Sequence, residues 1–290
     1  VFNGIPVSDD KAERVRAAAA RLGFRLNRTA RSLRRRHSDV IALVIPDIEN
    51  PYFTEVARGA EDVARAAGYS LVLCNSDADL EKEAQYLGVA AAENMAGVLL
   101  AAARDDTDLA VLEGSPTRLV ALDRPVAGVD EVLMDNREAG EIAARALRGR
   151  IVGVTGPEHV ATARDRADGM RAGGAEEVLF AGFDVAGGRA AARRILDAGR
   201  PDAIVAGNNL LGVGVLQEMA ERGLGPTDIR VAVIGSLPFT TLDPQAVTIV
   251  RLPSRDMGRV AAEHLLRRVE GDDAPVERVV LHGELVPAGR

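Results

Sequence analysis

The stretch VIALVIPDIENPYFTEVARGAEDVARAAGYSLVLC, residues 40–74, decides the fold. Its first piece, VIALVIP (40–46), is aliphatic without polar alternation, as expected of a strand covered on both faces. NPYFTEVARGAEDVARAAG (50–68) then changes period: Asn50 can cap a helix, Pro51 suits its first turn, and Phe53, Val56, Ala60, Val63 and Ala67 recur on one face. YSLVLC (69–74) returns to a strand pattern. Strand, amphipathic helix and strand in that order specify a right-handed crossover between parallel neighbours.

The same alternation runs outward to the end of the chain. Strands are expected at AGVLLA (96–101), RLVALD (118–123), EVLMD (131–135), IVGVTG (151–156), EVLFAG (177–182), DAIVAG (202–207), RVAVIG (230–235), AVTIVR (246–251) and ERVVLH (277–282). Helices fall between most of them, notably at 136–149, 189–199, 209–223 and 254–271. So many strands suit two doubly wound α/β lobes better than one. In open parallel sheets ligands bind beyond the carboxyl ends of the strands, which with two lobes means the cleft between them.

Composition sets the outer limits. The chain has 290 residues, 47% of them hydrophobic, enough for a substantial core, and a net charge of −7. That charge is unevenly placed. Residues 1–37 hold ten Lys and Arg against three Asp and Glu, a balance of +7 that leaves −14 for the rest. A basic start on an acidic body suggests a polyanionic partner for the first segment, with a solvated basic face as the plain alternative. Cys74 is the only cysteine, so neither an intrachain disulfide nor a cysteine-based zinc cluster is expected, and a reducing cytoplasm fits. No apolar run reaches transmembrane length, and the first residues carry no secretion-signal pattern.

No catalytic constellation emerges. The only lysines, Lys11 and Lys82, do not follow a glycine, so there is no phosphate loop. GVGVLQ (212–217) lacks the last glycine of a dinucleotide fingerprint and lies in a helical pattern, where close packing explains it better. His37, His159, His264 and His282 show no ligand spacing. No enzyme, cofactor or metal is expected.

The N-terminal segment supplies the remaining signal. SDDKAERVRAAAARLG (8–23) reads as a helix capped by Ser8, with Asp9 and Asp10 at its positive end and Gly23 after it. NRTARSLRRR (27–36) reads as a second helix, capped by Asn27, with Ala30 and Leu33 on a narrow stripe among arginines. It is too short to be stable alone and needs a partner to fold.

Taken in order, VFNG, the run from VSDDK through ARSL to NPYF, then DNREAG, the GN after DAIVA, and VAVIG resemble the lactose-repressor (LacI/GalR) family of bacterial transcriptional regulators over nearly the whole chain. The resemblance implies two periplasmic-binding-protein-like lobes preceded by a partial helix-turn-helix (1–26) and a hinge helix (27–38). The N-terminal lobe would comprise 39–135 and 252–272, the C-terminal lobe 136–251 and 273–290. It implies a homodimer bound to operator DNA and controlled by a small-molecule effector in the cleft. Leu33 would wedge between base steps in the minor groove, Ala30 would meet the partner's hinge helix, and Asn27, Arg28, Arg31, Arg34 and Arg35 would lie on the DNA backbone. Most base-reading residues would precede Val1, so the chain as it stands is expected to bind operator weakly or not at all. Dimer contacts would lie on the first lobe, through the helix from Pro51 and the one after NSDADLEKEAQYL.

For the effector, the resemblance points to Tyr52, Phe53, Asp123 and Asp135 in the first lobe and to Thr162, Arg166, Phe183 and Asn208 in the second. Helix-end packing, strand-end capping, and a surface ion pair of Arg166 with Asp165 or Asp168 are the structural alternatives. Leu237 stands where the family usually has a sugar-binding aspartate, Asn209 where aspartate is usual, and Leu252 where glutamine often lies. With fewer acceptors, the expected effector is less polar than a plain sugar, or anionic and centred on Arg166. A periplasmic-type solute-binding protein is the competing reading, opposed by the basic segment and the missing signal.

Overall fold

A computed structural model describes residues 8–21, 37–237 and 246–289. Helix α1 (Asp9–Arg21) begins directly after Ser8, whose carbonyl accepts from the Ala12 amide at 2.9 Å. Its Ala12 is buried and its Val15 exposed. The expected hinge residues Asn27, Arg28, Ala30, Arg31, Leu33, Arg34 and Arg35 lie outside the described residues.

From residue 40 the elements alternate as the periodicity requires. The first run is β1 (Val40–Ile45), α2 (Pro51–Ala66), β2 (Ser70–Asn75), α3 (Leu80–Ala92), β3 (Gly97–Leu100), β4 (Arg118–Leu122) and β5 (Asp130–Met134). The second run is α4 (Asn136–Arg145), β6 (Ile151–Thr155), α5 (Ala161–Ala172), β7 (Glu177–Phe180), α6 (Val185–Ala198), β8 (Ala203–Ala206), α7 (Asn209–Glu221), β9 (Arg230–Ile234) and β10 (Thr248–Arg251). Helix α8 (Ser254–Val269) and two short strands, β11 (Arg278–Leu281) and β12 (Glu284–Val286), complete the order.

These strands form two six-stranded sheets, β11-β5-β4-β3-β1-β2 and β12-β10-β9-β8-β6-β7. Apart from β10–β12 the pairs are parallel. Each sheet therefore repeats one doubly wound plan with a late strand added at its edge. Ile41, Leu43, Val98, Leu99 and Val120 have no solvent exposure, because helices cover both faces of the first sheet. Helix α2 starts on Asn50, whose side chain accepts from the Tyr52 amide at 3.0 Å, and ends at Ala66, so Ala64 rather than the expected Ala67 closes its buried face.

One expected boundary fails. Strand β11 completes the first sheet, pairing Arg278 with Glu131 and Leu281 with Met134, so 273–281 belong to the first lobe. The reason is a polar clamp: Asp130 takes Arg268 through Nε and NH2 at 2.7 and 2.8 Å and the Glu277 amide at 2.8 Å, while Arg278 Nε donates to Glu131 at 2.6 Å. Only β12 returns to the second sheet. Among the described residues the chain thus passes between lobes three times, after β5, β10 and β11, and these crossings sit side by side: the Asp135 amide donates to the Leu281 carbonyl at 2.9 Å, and Arg251 at the end of β10 pairs with Glu284.

Helix pairs on the sheets cross through glycines. A Cβ on Gly169 of α5 would lie 1.9 Å from the Arg137 carbonyl oxygen of α4, and one on Gly140 of α4 would lie 2.3 Å from the Arg166 carbonyl oxygen. The same close approach joins α2 to α8 at Gly59 and Gly258, and α6 to α7 at Gly188 and Gly214. Gly214, from GVGVLQ, is thus a packing residue. These crossings hold Arg166 of α5 against Asn136 of α4 and Tyr52 of α2 against Met257 of α8.

Candidate effector cleft

The two sheets point their carboxyl ends at a common cleft of about 330 Å³. Its walls come from residues one to four past the strand ends: Asp47 after β1, Asp77 after β2, Ala103 after β3, Arg124 after β4, Pro157 after β6, Phe183 and Asp184 after β7, Asn208 after β8 and Gly235 after β9. The starts of α2, α5 and α7 add Tyr52 and Phe53, Thr162 and Arg166, and Asn209. Helix amino ends directed at a cleft favour oxygen-rich ligands.

Arg166 is held firmly among these side chains. It is 5% exposed, its Nε donates to Asn136 Oδ1 at 2.8 Å, and its NH1 donates to the Gly207 carbonyl at 2.6 Å. Burial lowers its pKa from the ordinary arginine value, and nearby Asp123 partly offsets this. Among the described residues no carboxylate is bonded to the guanidinium, so it enters the cleft as a positioned, largely desolvated cation with donors left for a ligand.

The opposite wall is a polar chain. The Tyr52 hydroxyl donates to Asp123 Oδ1 at 2.9 Å, and burial followed by the Asp123 charge raises the phenol pKa well above its usual value. Asp123 holds a left-handed backbone (φ 65), a conformation uncommon outside glycine and one that concentrates at functional sites. Beside it, Arg124 is 5% exposed; its NH1 donates to the Ala102 and Ala103 carbonyls at 2.6 and 2.9 Å, while its buried Nε has no hydrogen-bond partner. Desolvation pushes its pKa down, and burial likewise raises that of Asp47.

Among the described residues, the side chains of Asn50 and Asp105 bridge the lobes at the cleft. Asn209 Nδ2 donates to Asn50 Oδ1 at 3.0 Å, with both residues buried. At the rim, Asp105 of the first lobe accepts from Arg164 NH2 at 2.6 Å and from the Ala161 amide at 3.2 Å.

Seven residues expected at the cleft line it: Tyr52, Phe53, Asp123, Thr162, Arg166, Phe183 and Asn208. Asp135 does not. Its Oδ1 accepts from the Glu138 amide at 2.8 Å and caps α4 at the first crossing, where His282 bonds to Glu138 at 2.5 Å. Leu237 also stays out of the lining and packs against the second-lobe core. Leu252 and Asn209 both line the cleft. The expectation missed Asp47, Asp77, Arg124 and Asp184, although a position just past a parallel strand was the available signal. Those residues change the character of the site: Asp47, Asp77, Asp123 and Asp184 outnumber Arg124 and Arg166.

Two similar lobes, three adjacent crossings and a polar cleft at the strand ends define a two-lobed ligand-binding core. The family model described as periplasmic binding proteins and sugar binding domain of LacI family matches residues 38–282, and the chain belongs to that family. Among curated relatives, the ribose operon repressor of Bacillus subtilis (strain 168) is 35% identical over 273 residues, covering 90% of this chain and 83% of the relative. The ribose operon repressor of Halalkalibacterium halodurans is 30% identical, covering 97% of this chain and 88% of that one. A solved complex of the transcriptional regulator CelR with cellobiose superposes with a TM-score of 0.76 at 26% identity, over 97% of this chain and 91% of that chain. The protein is accordingly a LacI-family transcriptional regulator with an effector-binding core. Among the described residues, no helix is long and apolar enough to cross a membrane.

Proposed function

We propose that this regulator is a cytoplasmic repressor whose effector is a small uncharged polyol of pentose size, bound between Arg166 and the Tyr52–Asp123 pair. The observation that carries the reading is the charge of the cleft lining. Four aspartates against two arginines disfavour a multiply charged anion, while carboxylates, amides and guanidinium donors together suit vicinal hydroxyls. The apolar residues Leu252 and Phe53 supply a face for the carbon edge of a sugar ring. The less polar effector suggested by Leu237, Asn209 and Leu252 loses one of its supports, because Leu237 lies outside the lining and Asp47 and Asp184 add acceptors, while the four aspartates weigh against the anionic effector centred on Arg166. The names of the two ribose operon repressors agree with the polyol reading.

Calorimetric titration with D-ribose, D-xylose and ribose 5-phosphate tests it. Submillimolar binding of a free pentose, with the phosphate ester weaker, is the expected result. Tighter binding of the phosphate would restore the anion reading and refute this one.

Operator binding as a homodimer is part of the same proposal. Leu80 and Val89 on α3 are exposed at 40% and 45%, and Val111, 42% exposed, lies on the turn packed against α3. Val72 and Leu73 on the edge strand β2 add to the exposed apolar surface of the same lobe. A second copy covering α3 would place two N-terminal segments, each with a hinge led by Leu33 and its arginines, on one pseudo-palindromic site.

A further inference from the structure

The rim contact of Asp105 carries more than a surface ion pair. Helix α5 begins without a side-chain cap, since its cap position is Val160, which offers no acceptor. The Ala161 amide points instead at a carboxylate from the other lobe, Asp105 Oδ1, while Asp105 Oδ2 takes the Arg164 guanidinium one turn on. One side chain thus satisfies an orphan amide, meets the positive end of the helix and pairs with a cation, all across the cleft.

The loop that presents Asp105 is itself pinned from inside the first lobe. Glu83 of α3, 1% exposed, accepts from the Ala103 amide at 2.5 Å and the Thr107 hydroxyl at 2.7 Å. Arg124, a cleft residue, holds the Ala102 and Ala103 carbonyls from the other side. Asp105 is therefore presented from a fixed loop, and the helix it caps carries Thr162 and Arg166 into the cleft.

The geometry points to Asp105 as a closure latch: a first-lobe carboxylate that caps second-lobe helix α5 in trans and holds the cleft shut around its ligand without touching that ligand. It is a positioning residue, and its effect on effector affinity rests on the polyol reading above. Opening the lobes removes both contacts together, so latch and closure are one equilibrium. A ligand that prefers the closed form is bound more tightly by as much as the latch favours that form.

Amide hydrogen exchange on the ligand-free protein tests the latch without reference to any effector. Amides of a helix's first turn have no acceptor within the helix, so protection at Ala161 reports the Asp105 contact. Protection at Ala161 is expected in the wild type, retained in part in Asp105→Asn, whose amide oxygen can still accept, and lost in Asp105→Ala, with Met170 in the same helix unchanged as a check on folding. In parallel titrations with D-ribose, Asp105→Ala should raise the dissociation constant about threefold to tenfold, and Arg164→Ala by less. The double variant Asp105→Ala/Arg164→Ala should match Asp105→Ala alone, because Asp105→Ala already removes the one cross-cleft bond that Arg164→Ala breaks. Equal exchange at Ala161 in wild type and Asp105→Ala overturns the latch, as does additivity of the two substitutions. If D-ribose binds none of these proteins, the polyol reading fails, and the exchange result still decides the latch.

Discussion

Replacing Arg166 by methionine separates binding from folding. The two protein bonds of the guanidinium, to Asn136 Oδ1 and the Gly207 carbonyl, leave its other N–H donors for a ligand. A hydrogen bond from a charged donor contributes about 1.5–3 kcal/mol, so loss of one such bond weakens binding roughly 10- to 100-fold, and loss of two by more. Folding responds differently. Methionine leaves Gly207 O and Asn136 Oδ1 without their partner, at about 1 kcal/mol each, yet removes a buried cation that no carboxylate among the described residues bonds. These effects oppose one another, so unfolding free energy should move by no more than about 2 kcal/mol. Calorimetry with D-ribose and denaturant unfolding of the same sample read the two quantities. Unchanged pentose affinity in Arg166→Met would refute the assignment of Arg166 as an effector contact. A collapse of the fold with no measurable binding would show that the residue is chiefly structural.

Other outcomes follow from the packing and the clamps. Gly169→Ala places a methyl 1.9 Å from the Arg137 carbonyl oxygen, and separating α4 from α5 should cost about 1–3 kcal/mol in chemical denaturation while weakening ligand binding through Arg166. Asp130→Ala breaks the buried clamp on Arg268 and should cost about 3 kcal/mol, with strand β11 losing exchange protection first. Arg268 holds the Asp130 carboxyl below the usual carboxylate range, so its contribution is present above about pH 3.9 and is lost as pH falls through the lower folded value. Acid unfolding of Asp130→Ala should accordingly show a weaker pH dependence below that point than wild type. If the proposed dimer forms through α3, Val89→Lys on its exposed face should shift that dimer to monomer in sedimentation at micromolar concentration, and an unchanged dimer would move the interface elsewhere.

The strand runs and capped helices were legible because each is a local pattern: VIALVIP needs two covered faces, and NPYF sets its own helix start. Arg166 and Asn208 were legible through ordered motifs beside recognisable strands. What the sequence hid was pairing over distance. Nothing local to ERVVLH says which sheet it joins, since that depends on Asp130, Arg268 and Glu277, brought together from far apart along the chain. Asp135 misled for a related reason. An aspartate between a strand and a helix can face a cleft or cap the helix, and only the neighbouring crossing at Leu281 decides for capping. Asp47, Asp77, Arg124 and Asp184 stood in unremarkable loops until two sheets faced their carboxyl ends at one another. The Asp105 contact was hidden more completely, because its partners lie on the opposite lobe.

Ligand-controlled DNA binding is tested most directly by selecting from a random duplex pool, at physiological salt, with the full-length regulator. The selection is run with and without D-ribose. Enrichment of a pseudo-palindrome with a flexible central step, at a level that D-ribose changes in wild type and not in Arg166→Met, is the expected result. Enrichment of the same sites at the same level with and without the pentose, in a protein shown to bind it, would contradict control of the operator through the cleft.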